Sequence, residues 1–304
     1  MLRICQIKDH QVSDCSGEQG TVWVYTNPSD QEKKHLVNEL KIDEHTLTSA
    51  LDPDELSRLE FEPDHAALIF KRPKNYSSQD ELLFKVSSVG LFLFKDRLIV
   101  VMPEESPLFE GKQFQRVASL NDLLLKLIYR SIFHYLEHLK IINMITDSLE
   151  DKISSSMENK YLLNLFTLEK SLVYYLNAIN SNSMLIEKLK TNAAKIDFSP
   201  EELEFLDDII IENNQCYRQA EIYSNILASM MDARASIVSN NLNVLMKTLN
   251  IITIGIMVPT FVVSAFSMNV GIPLSWHPAA FWMVMGLALV SVVAFMLFWR
   301  FKKW

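Results

Sequence analysis

The chain of 304 residues is poor in cysteine and glycine, with three of the first and seven of the second. Cys5, Cys15 and Cys216 form no Cys-x-x-Cys pair, which argues against a disulfide framework and against a structural zinc site. The sequence also contains no phosphate-binding loop, no Gly-x-Ser-x-Gly motif and no glycine-rich nucleotide turn. A nucleotide-driven pump is therefore not expected.

Acidic residues are missing from the last part of the chain, because no Asp or Glu follows Asp232. Residues 1–232 hold all 37 acidic residues, whereas five of the 29 basic residues lie beyond Asp232. The first part is therefore strongly acidic and the last part is basic. A protein that binds nucleic acid would need a basic face on its main body. An acidic body suits cations instead.

The basic tail contains two uncharged apolar runs, Leu249–Phe266 and Pro278–Trp299. Each is close to the ~20 residues that a helix needs to cross about 30 Å of hydrocarbon. A single run of this kind is also found in the core of soluble proteins, but two adjacent runs favour the membrane. We therefore predict two membrane spans, at about 249–266 and 278–299.

Positive charges precede the first span and follow the second span along the chain. Lys247 precedes the first span and the basic cluster Arg300–Lys303 follows the second, whereas the link Ser267–His277 has no Lys or Arg. By the positive-inside rule, both termini are expected in the cytoplasm and the link outside. Residues 1–8 lack the apolar core of a signal peptide. The expected location is the plasma (inner) membrane, with multiple passes.

Most turn-forming residues lie in residues 1–118 and predict an N-terminal α/β unit. Apolar alternation predicts strands there, and helical spacing predicts two short helices. A turn at Lys95–Arg97 between two apolar runs predicts a hairpin. The predicted elements are strands at 21–26, 66–71, 82–94 and 98–102, and helices at 31–40 and 44–51.

Glycine is then absent from Lys112 to Ile254, and apolar residues recur at helical spacing. We predict helices near 119–157 and 160–195. Ser199, Pro200 and Glu202 form an N-terminal capping pattern for a third helix, which has no evident stop before the membrane. The predicted domains are an α/β unit at 1–118, antiparallel helices at 119–198, a stalk helix at 199–248 and a membrane domain at 249–304.

Polar residues and methionines follow the first span at spacings of three and four, which places them along one helix face. In lipid, such a face must meet partner helices or water. Two interpretations stay open at this point: a seam between helices, and a pore wall shared by several copies. The stripe consists of Asn243, Met246, Asn250, Thr253, Met257, Thr260, Ser264 and Ser267.

The outer end of this helix favours cations. Its last carbonyl groups, near Ser267-Met268-Asn269, carry about −0.5 charge. Several such ends around an axis would form a negative mouth without a carboxylate. Neutral oxygens such as that of Asn269 suit Mg²⁺, which gives up its water reluctantly. Deeper in, Met246 and Leu249 would form an apolar neck that closes by dewetting.

The run from Asn243 to Phe261, followed by Met268-Asn269 and the basic tail, resembles the CorA magnesium-channel family, whose first membrane helix ends in Gly-Met-Asn. The stretch Ala50–Glu62 also looks like the cytosolic domain of that family. The resemblance implies an α+β cytosolic domain (an α/β/α sandwich), a long stalk helix and two C-terminal transmembrane helices. It also implies a funnel-shaped homopentamer in a lipid bilayer.

The resemblance further implies roles for individual residues. Asn269 would form the outer ring that meets the hydrated ion. A regulatory site between subunits would pair Asp208, beside Asp207, with Asp52 or Asp54 of a neighbouring copy. Mg²⁺ would be both the transported and the regulatory ion, without another cofactor, and bound Mg²⁺ would close the channel. The implied pore wall includes Asn243, Met246, Leu249, Met257 and Thr260.

Two features of the outer link depart from the family pattern. Ser267 stands where the family has glycine, and serine adopts a left-handed turn less easily. No acidic residue lies between Val270 and His277. The choice among Mg²⁺, Co²⁺, Ni²⁺ and Zn²⁺ therefore stays open, and a zinc-type transporter of the same family is the alternative. Met268 favours magnesium.

The sequence also carries weaker signals of other function classes. His134, Glu137 and His138 fit the His-x-x-Glu-His pattern of a group of zinc peptidases, although no third ligand follows. The simpler interpretation is a pair of histidines on a solvated helix face. A membrane-anchored helical scaffold or sensor without ion flux would use the same stalk helices. We expect a transporter rather than an enzyme.

Overall fold

The computed structural model describes residues 1–15, 20–77, 80–155, 159–268 and 276–301. The chain divides into two compact units, Met1–Met231 and Asp232–Trp304. The boundary lies within the segment that we predict as the stalk helix. The four-part division at 118, 198 and 248 stays a prediction.

The first unit contains a mixed sheet in the order β2-β1-β3-β7-β6-β5-β4. β3 and β7 pair in parallel, and the other neighbours pair antiparallel. The strands are β1 Leu2–Lys8, β2 Gln11–Asp14, β3 Val22–Thr26, β4 Arg58–Phe61, β5 His65–Pro73, β6 Val86–Phe94 and β7 Leu98–Met102.

Helices cover both faces of this sheet. Successive side chains of a strand point to opposite faces, and β5 is buried along its whole length. Leu68 and Phe70 belong to a core cluster with residues of α3, α4 and α6, whereas Ala67 and Ile69 pack with α1 and α2. The helices are α1 Asp30–Asn38, α2 Glu44–Leu51, α3 Leu120–Ser155, α4 Asn159–Thr191, α5 Ala193–Ile196, α6 Pro200–Phe266 and α7 Ala280–Phe301.

This arrangement confirms the predicted α/β/α sandwich with a long helix and two C-terminal apolar helices. The predicted hairpin is correct, although β6 begins at Val86 rather than at residue 82. β1, β2 and β4 were not predicted. The predicted end of the first long helix, at 157, lies outside the described residues.

The starts of α3 and α6 are each capped by a serine hydroxyl, and the two caps are joined by a hydrogen bond. The Ser199 hydroxyl accepts from the backbone N–H of Glu202 at 3.2 Å, and Glu202 Oε2 accepts from the N–H of Ser199 at 2.9 Å. This is the predicted capping box. At the start of α3, the Ser119 hydroxyl accepts from the N–H of Asp122 at 2.9 Å. The same hydroxyl donates to Glu202 Oε1 at 2.5 Å.

Candidate functional site

In the second unit, the end of α6 has two faces that differ in exposure. One face is partly covered and consists of apolar residues and Gly255 at spacings of three and four. The other residues of this part of the helix are mostly exposed in the single chain. The partly covered residues are Ile251, Gly255, Val258, Pro259, Val262 and Phe266.

The partner of the covered face is α7, which has a matching face. A Cβ atom placed on Gly255 would lie 3.6 Å from Cε1 of Phe295, and Ala288 is buried. Small residues let two helices approach closely in a membrane. The covered positions of α7 are Ala280, Val284, Ala288, Ser291, Val292, Phe295 and Trp299.

The predicted polar stripe lies on the opposite side of α6. At about 100° per residue, the stripe is centred ~180° from Gly255 on the helix. Leu249 lies at its edge. Every member of the stripe is exposed, so the described part of one chain leaves this face open. The sequence placed these residues on one face, and the position of α7 leaves that face free for other contacts.

Two threonines of the stripe use their hydroxyl protons within the helix. Thr253 Oγ1 donates to the carbonyl of Leu249 at 2.9 Å, and Thr260 Oγ1 donates to the carbonyl of Ile256 at 2.7 Å. A hydroxyl has one proton and two lone pairs. The oxygens of Thr253 and Thr260 are therefore left as acceptors on the exposed face.

The end of α6 is tightened at Ser267. Its backbone N–H donates to the carbonyl of Ser264 at 3.1 Å, and its hydroxyl donates to the same carbonyl at 2.8 Å. Ser267 does not adopt a positive φ, the region that glycine would reach without strain. Met268 is exposed, whereas Asn269 lies outside the described residues.

The candidate regulatory acids of the first unit lie on a loop whose backbone is held by hydrogen bonds from buried side chains. Asp52 and Asp54 are exposed, and Asp52 Oδ1 accepts from the N–H of Asp54 at 2.9 Å. The ammonium group of Lys71 donates to the carbonyl of Pro53 at 2.7 Å and to Ser88 Oγ at 2.8 Å. The Ser88 hydroxyl in turn donates to the carbonyl of Asp52. The loop backbone is thus held in place while both carboxylates face outward.

Burial lowers the pKa of Lys71, and the nearby carboxylates of Asp52, Asp54 and Glu55 act in the opposite direction. The backbone of Lys71 also exchanges two hydrogen bonds of 2.8 Å with the side-chain amide of Asn182 on α4. Sequence reasoning missed this network. The available sequence signal was the pair of basic residues, Lys71 and Arg72, directly after an apolar run.

The stalk acids lie on the surface of α6. Asp207 and Asp208 are exposed, and Asp207 Oδ1 lies 2.5 Å from the ammonium group of Lys190 on α4. Within the described ranges of a single chain, no three side chains of His, Cys, Asp or Glu are grouped to hold a metal ion. One chain alone therefore does not bring the predicted regulatory acids into a metal site.

The histidines of the zinc-peptidase pattern are not on a solvated face, so that expectation was wrong. His138 is 5 % exposed, and its Nδ1 lies 2.5 Å from the hydroxyl of Tyr175 on α4. Burial lowers the pKa of His134 to about 3 and that of His138 to about 4. Glu137 is exposed and pairs with Arg130 at 3.1 Å. The pattern therefore brings together no open metal site.

The family assignment rests on most of the chain. The family model described as CorA-like Mg²⁺ transporter protein matches residues 18–303. The chain belongs to this family. The cobalt/magnesium transport protein CorA of Methanocaldococcus jannaschii is 25 % identical over 299 residues, which cover 93 % of this chain and 91 % of that protein.

Solved structures share the fold. The complete structure of the CorA magnesium transporter from Methanocaldococcus jannaschii matches with a TM-score of 0.82 and 22 % identity, over 99 % of this chain and 97 % of the other. The cytoplasmic domain of ZntB from Vibrio parahaemolyticus matches with a TM-score of 0.62 and 14 % identity, over 78 % and 98 %. The protein is thus a CorA-family divalent-cation transporter of the membrane and not an enzyme.

Two helices are long and apolar enough to cross a membrane, α6 at its C-terminal end and α7. Aromatic residues lie near both ends of α7. Trp276, Phe281 and Trp282 are exposed near its start, and Trp299 lies near its end. Indole rings prefer the membrane interface, so this distribution suits a helix that spans the bilayer.

Proposed function

We propose that the chain is one subunit of a homopentameric Mg²⁺ channel of the plasma membrane, with α6 as the pore-lining helix. The observation that carries this proposal is the position of the polar stripe, opposite the face of α6 that packs against α7. A ring of copies with α7 on the lipid side would enclose the stripe around a common axis. Both termini would lie in the cytoplasm, in accordance with the flanking positive charges.

The threonine hydroxyls favour a water-filled pore over a dry seam between helices. Thr253 and Thr260 already donate their protons to backbone carbonyls, so they can only accept. In a symmetric seam each of these oxygens would face the same oxygen of a neighbouring copy, which is also an acceptor. Water bound to a cation supplies the missing donors. This distinction supports a pore at these two levels.

A neutral wall suits a strongly hydrated ion. Mg²⁺ keeps several of its waters when it binds to proteins, and a pore must attract an ion without trapping it. The stripe has acceptor oxygens but no carboxylate. We assign the outer ring to Asn269, next to Ser267 and Met268, and the apolar neck to Met246 and Leu249. Entry of a doubly charged ion would gain about 4.6 kcal/mol per 100 mV of membrane potential.

Regulation would come from cytosolic Mg²⁺ between subunits. Asp208, with Asp207 beside it, would face Asp52 and Asp54 of a neighbouring copy. The Lys71–Ser88 contacts hold the Asp52–Asp54 loop in place. Bound Mg²⁺ would offset the repulsion between these carboxylates and stabilise the closed state, and its loss would open the pore.

The test of the pore assignment uses isosteric substitutions on one helix. Thr253→Val and Thr260→Val each remove an acceptor oxygen without a change of shape. Thr248→Val is the matched control, because Thr248 makes the same bond to the carbonyl of Val244 at 2.9 Å but lies ~140° from Thr253 on the helix. Mg²⁺ flux into vesicles should fall about tenfold or more in the stripe variants, given about 1 kcal/mol for each lost hydrogen bond in each copy.

Equal flux in all three variants and the parent chain would overturn the pore assignment. Flux into the same vesicles, measured with Mg²⁺, Co²⁺, Ni²⁺ and Zn²⁺ in turn, gives the order in which the protein transports these ions. Flux of Zn²⁺ well above that of Mg²⁺ would replace the magnesium proposal with the zinc-type alternative. Intact pentamers without flux of any of these ions would favour the scaffold or sensor hypothesis.

A further inference from the structure

The first unit contains a small cavity, about 60 Å³ in volume, between the sheet and α3. Aliphatic and aromatic side chains of β5, β6, β7 and α3 form its walls. The polar side chains that line it carry no carboxylate. They are Arg72 on β5, Asn75, Ser106, and Arg130, Ser131 and His134 on α3.

Arg72 is the buried charge of this cavity, at 8 % exposure. Its Nη2 donates to Ser106 Oγ, and its Nε donates weakly to the carbonyl of Pro73 at 3.4 Å. Across the described ranges, no carboxylate lies within ion-pair distance of its guanidinium group. Burial lowers the pKa of Arg72, and the nearby carboxylate of Glu104 acts in the opposite direction. The Oε2 atom of Glu104 is bound by Lys74 at 3.2 Å.

An arginine side chain in a protein keeps its proton, so Arg72 stays charged although it is buried. Burial of a charge is costly unless a partner of opposite charge compensates it. Arg58 of the same unit illustrates the usual solution, because carboxylate oxygens of Glu55 and Glu60 each lie 3.3 Å from its guanidinium group. Arg72 is held in the cavity without such a partner.

The neighbours of Arg72 increase the local positive charge. Arg130 lines the same cavity, is 30 % exposed and pairs with the exposed carboxylate of Glu137 at 3.1 Å. Burial is the main cause of the lowered pKa of His134, and His138, Arg72 and Arg130 are close enough to lower it further. The neutral imidazole of His134 supplies no negative charge. The cavity thus has two cations and several hydrogen-bond donors.

We propose that this cavity binds a small oxyanion, such as inorganic phosphate or sulfate. The planar guanidinium fork of Arg72 matches two oxygens of such an anion, and Arg130 supplies a second charge. Ser131 and Asn75 offer further hydrogen bonds. The cavity volume is about four times the minimum that holds one water molecule. This volume suits an oxyanion with one central atom. The bound anion would connect β5 to α3.

The test is calorimetric titration of the full-length protein in detergent with inorganic phosphate and with sulfate. The buffer contains no Mg²⁺ and has constant ionic strength, set with chloride. The parent chain should show saturable binding of both anions. Arg72→Gln should weaken binding by about tenfold or more, because a charge-assisted hydrogen bond contributes about 1.5–3 kcal/mol. Arg130→Gln should weaken it to a smaller extent.

Arg116→Gln is the control, because it removes the charge of an exposed arginine in the same unit and should leave the affinity unchanged. If Arg72→Gln does not fold, Arg130→Gln decides the question, because it keeps the buried charge. Absence of saturable binding by the parent chain would overturn the proposal. So would parental affinity in a folded Arg72→Gln variant, or in Arg130→Gln when Arg72→Gln does not fold.

Discussion

The Cε1 atom of Phe295 on α7 lies 3.6 Å from the position that a Cβ atom would take at Gly255 on α6. This is an ordinary van der Waals distance, so alanine fits at Gly255 and little room is left beyond Cβ on the side of Phe295. The contact fixes which side of α6 faces α7. It therefore also fixes which side is left for the polar stripe.

Substitution of Gly255 by leucine should weaken the pair of membrane helices. The added side chain would push against Phe295, and overpacking of this kind costs about 1–3 kcal/mol. Gly255→Ala should be tolerated. Gly286→Leu is the matched control, because no atom lies within 4 Å of a Cβ placed there. Heating in detergent, followed by size-exclusion chromatography, measures the loss of folded protein, and equal losses for the two leucine variants would contradict the packing described.

Asn269→Ala should abolish Mg²⁺ uptake by cells that lack other importers, because the variant removes the proposed outer ring of amide oxygens. The protein should still assemble in the membrane, since the change lies in the link between the spans. Uptake of Mg²⁺ and the amount of oligomer in the membrane are measured on the same cells. Normal uptake at normal protein level would remove Asn269 from the ion pathway.

Asp208→Ala should raise the Mg²⁺ concentration that closes the channel. The variant removes one of the carboxylates whose repulsion the bound ion is proposed to offset. Glu204→Ala is the control, because Glu204 is an exposed acid one turn earlier on α6. Flux into vesicles is recorded against internal Mg²⁺. An unchanged closing concentration in Asp208→Ala, or the same shift in both variants, would rule out this site.

The buried histidines should make the protein less stable in mild acid. Burial lowers the pKa of His138 to about 4, whereas an unfolded histidine titrates near 6.5. The unfolded chain therefore binds a proton first, so the contribution of His138 is complete above pH ~6.5 and declines from there down to pH ~4. The loss is about 1.4 kcal/mol per pH unit for each histidine with a lowered pKa.

Thermal unfolding of the parent chain between pH 7 and pH 4 measures this dependence. His138→Gln should show a smaller decline over the same range, even if it is less stable at pH 7. His277→Gln is the control, because His277 lies in the link before α7, far along the chain from the sheet. An equal pH dependence of the parent chain and His138→Gln would show that the His138 site does not contribute.

The sequence predicted the main fold because its strongest signals are local. The capping pattern at Ser199 and Glu202 marked the start of α6 correctly, and the turn at Lys95–Arg97 marked the hairpin. β4 was missed because four residues, Arg58–Phe61, carry little periodicity of their own. Their strand conformation depends on pairing with β5, which is a tertiary contact.

The candidate site was only partly predictable for a related reason. Helical spacing places Thr253 and Thr260 on one face, but it does not reveal what covers the other faces. That information comes from the packing of α7 at Gly255. For His138, helical spacing is a better signal than the short zinc-peptidase pattern, since Tyr135 and Ile142 place it on the apolar face of α3.

The link between Ser119 and Glu202 has a consequence for local opening of the first unit. The Ser119 hydroxyl accepts from the N–H of Asp122 in the first turn of α3, and it donates its own proton to the Glu202 carboxylate, which takes part in the cap of α6. Fraying at either helix start therefore breaks a bond of the other. Hydrogen exchange should find the first turns of both helices protected to a similar degree, as members of one cooperative unit, although they are more than 80 residues apart in the chain.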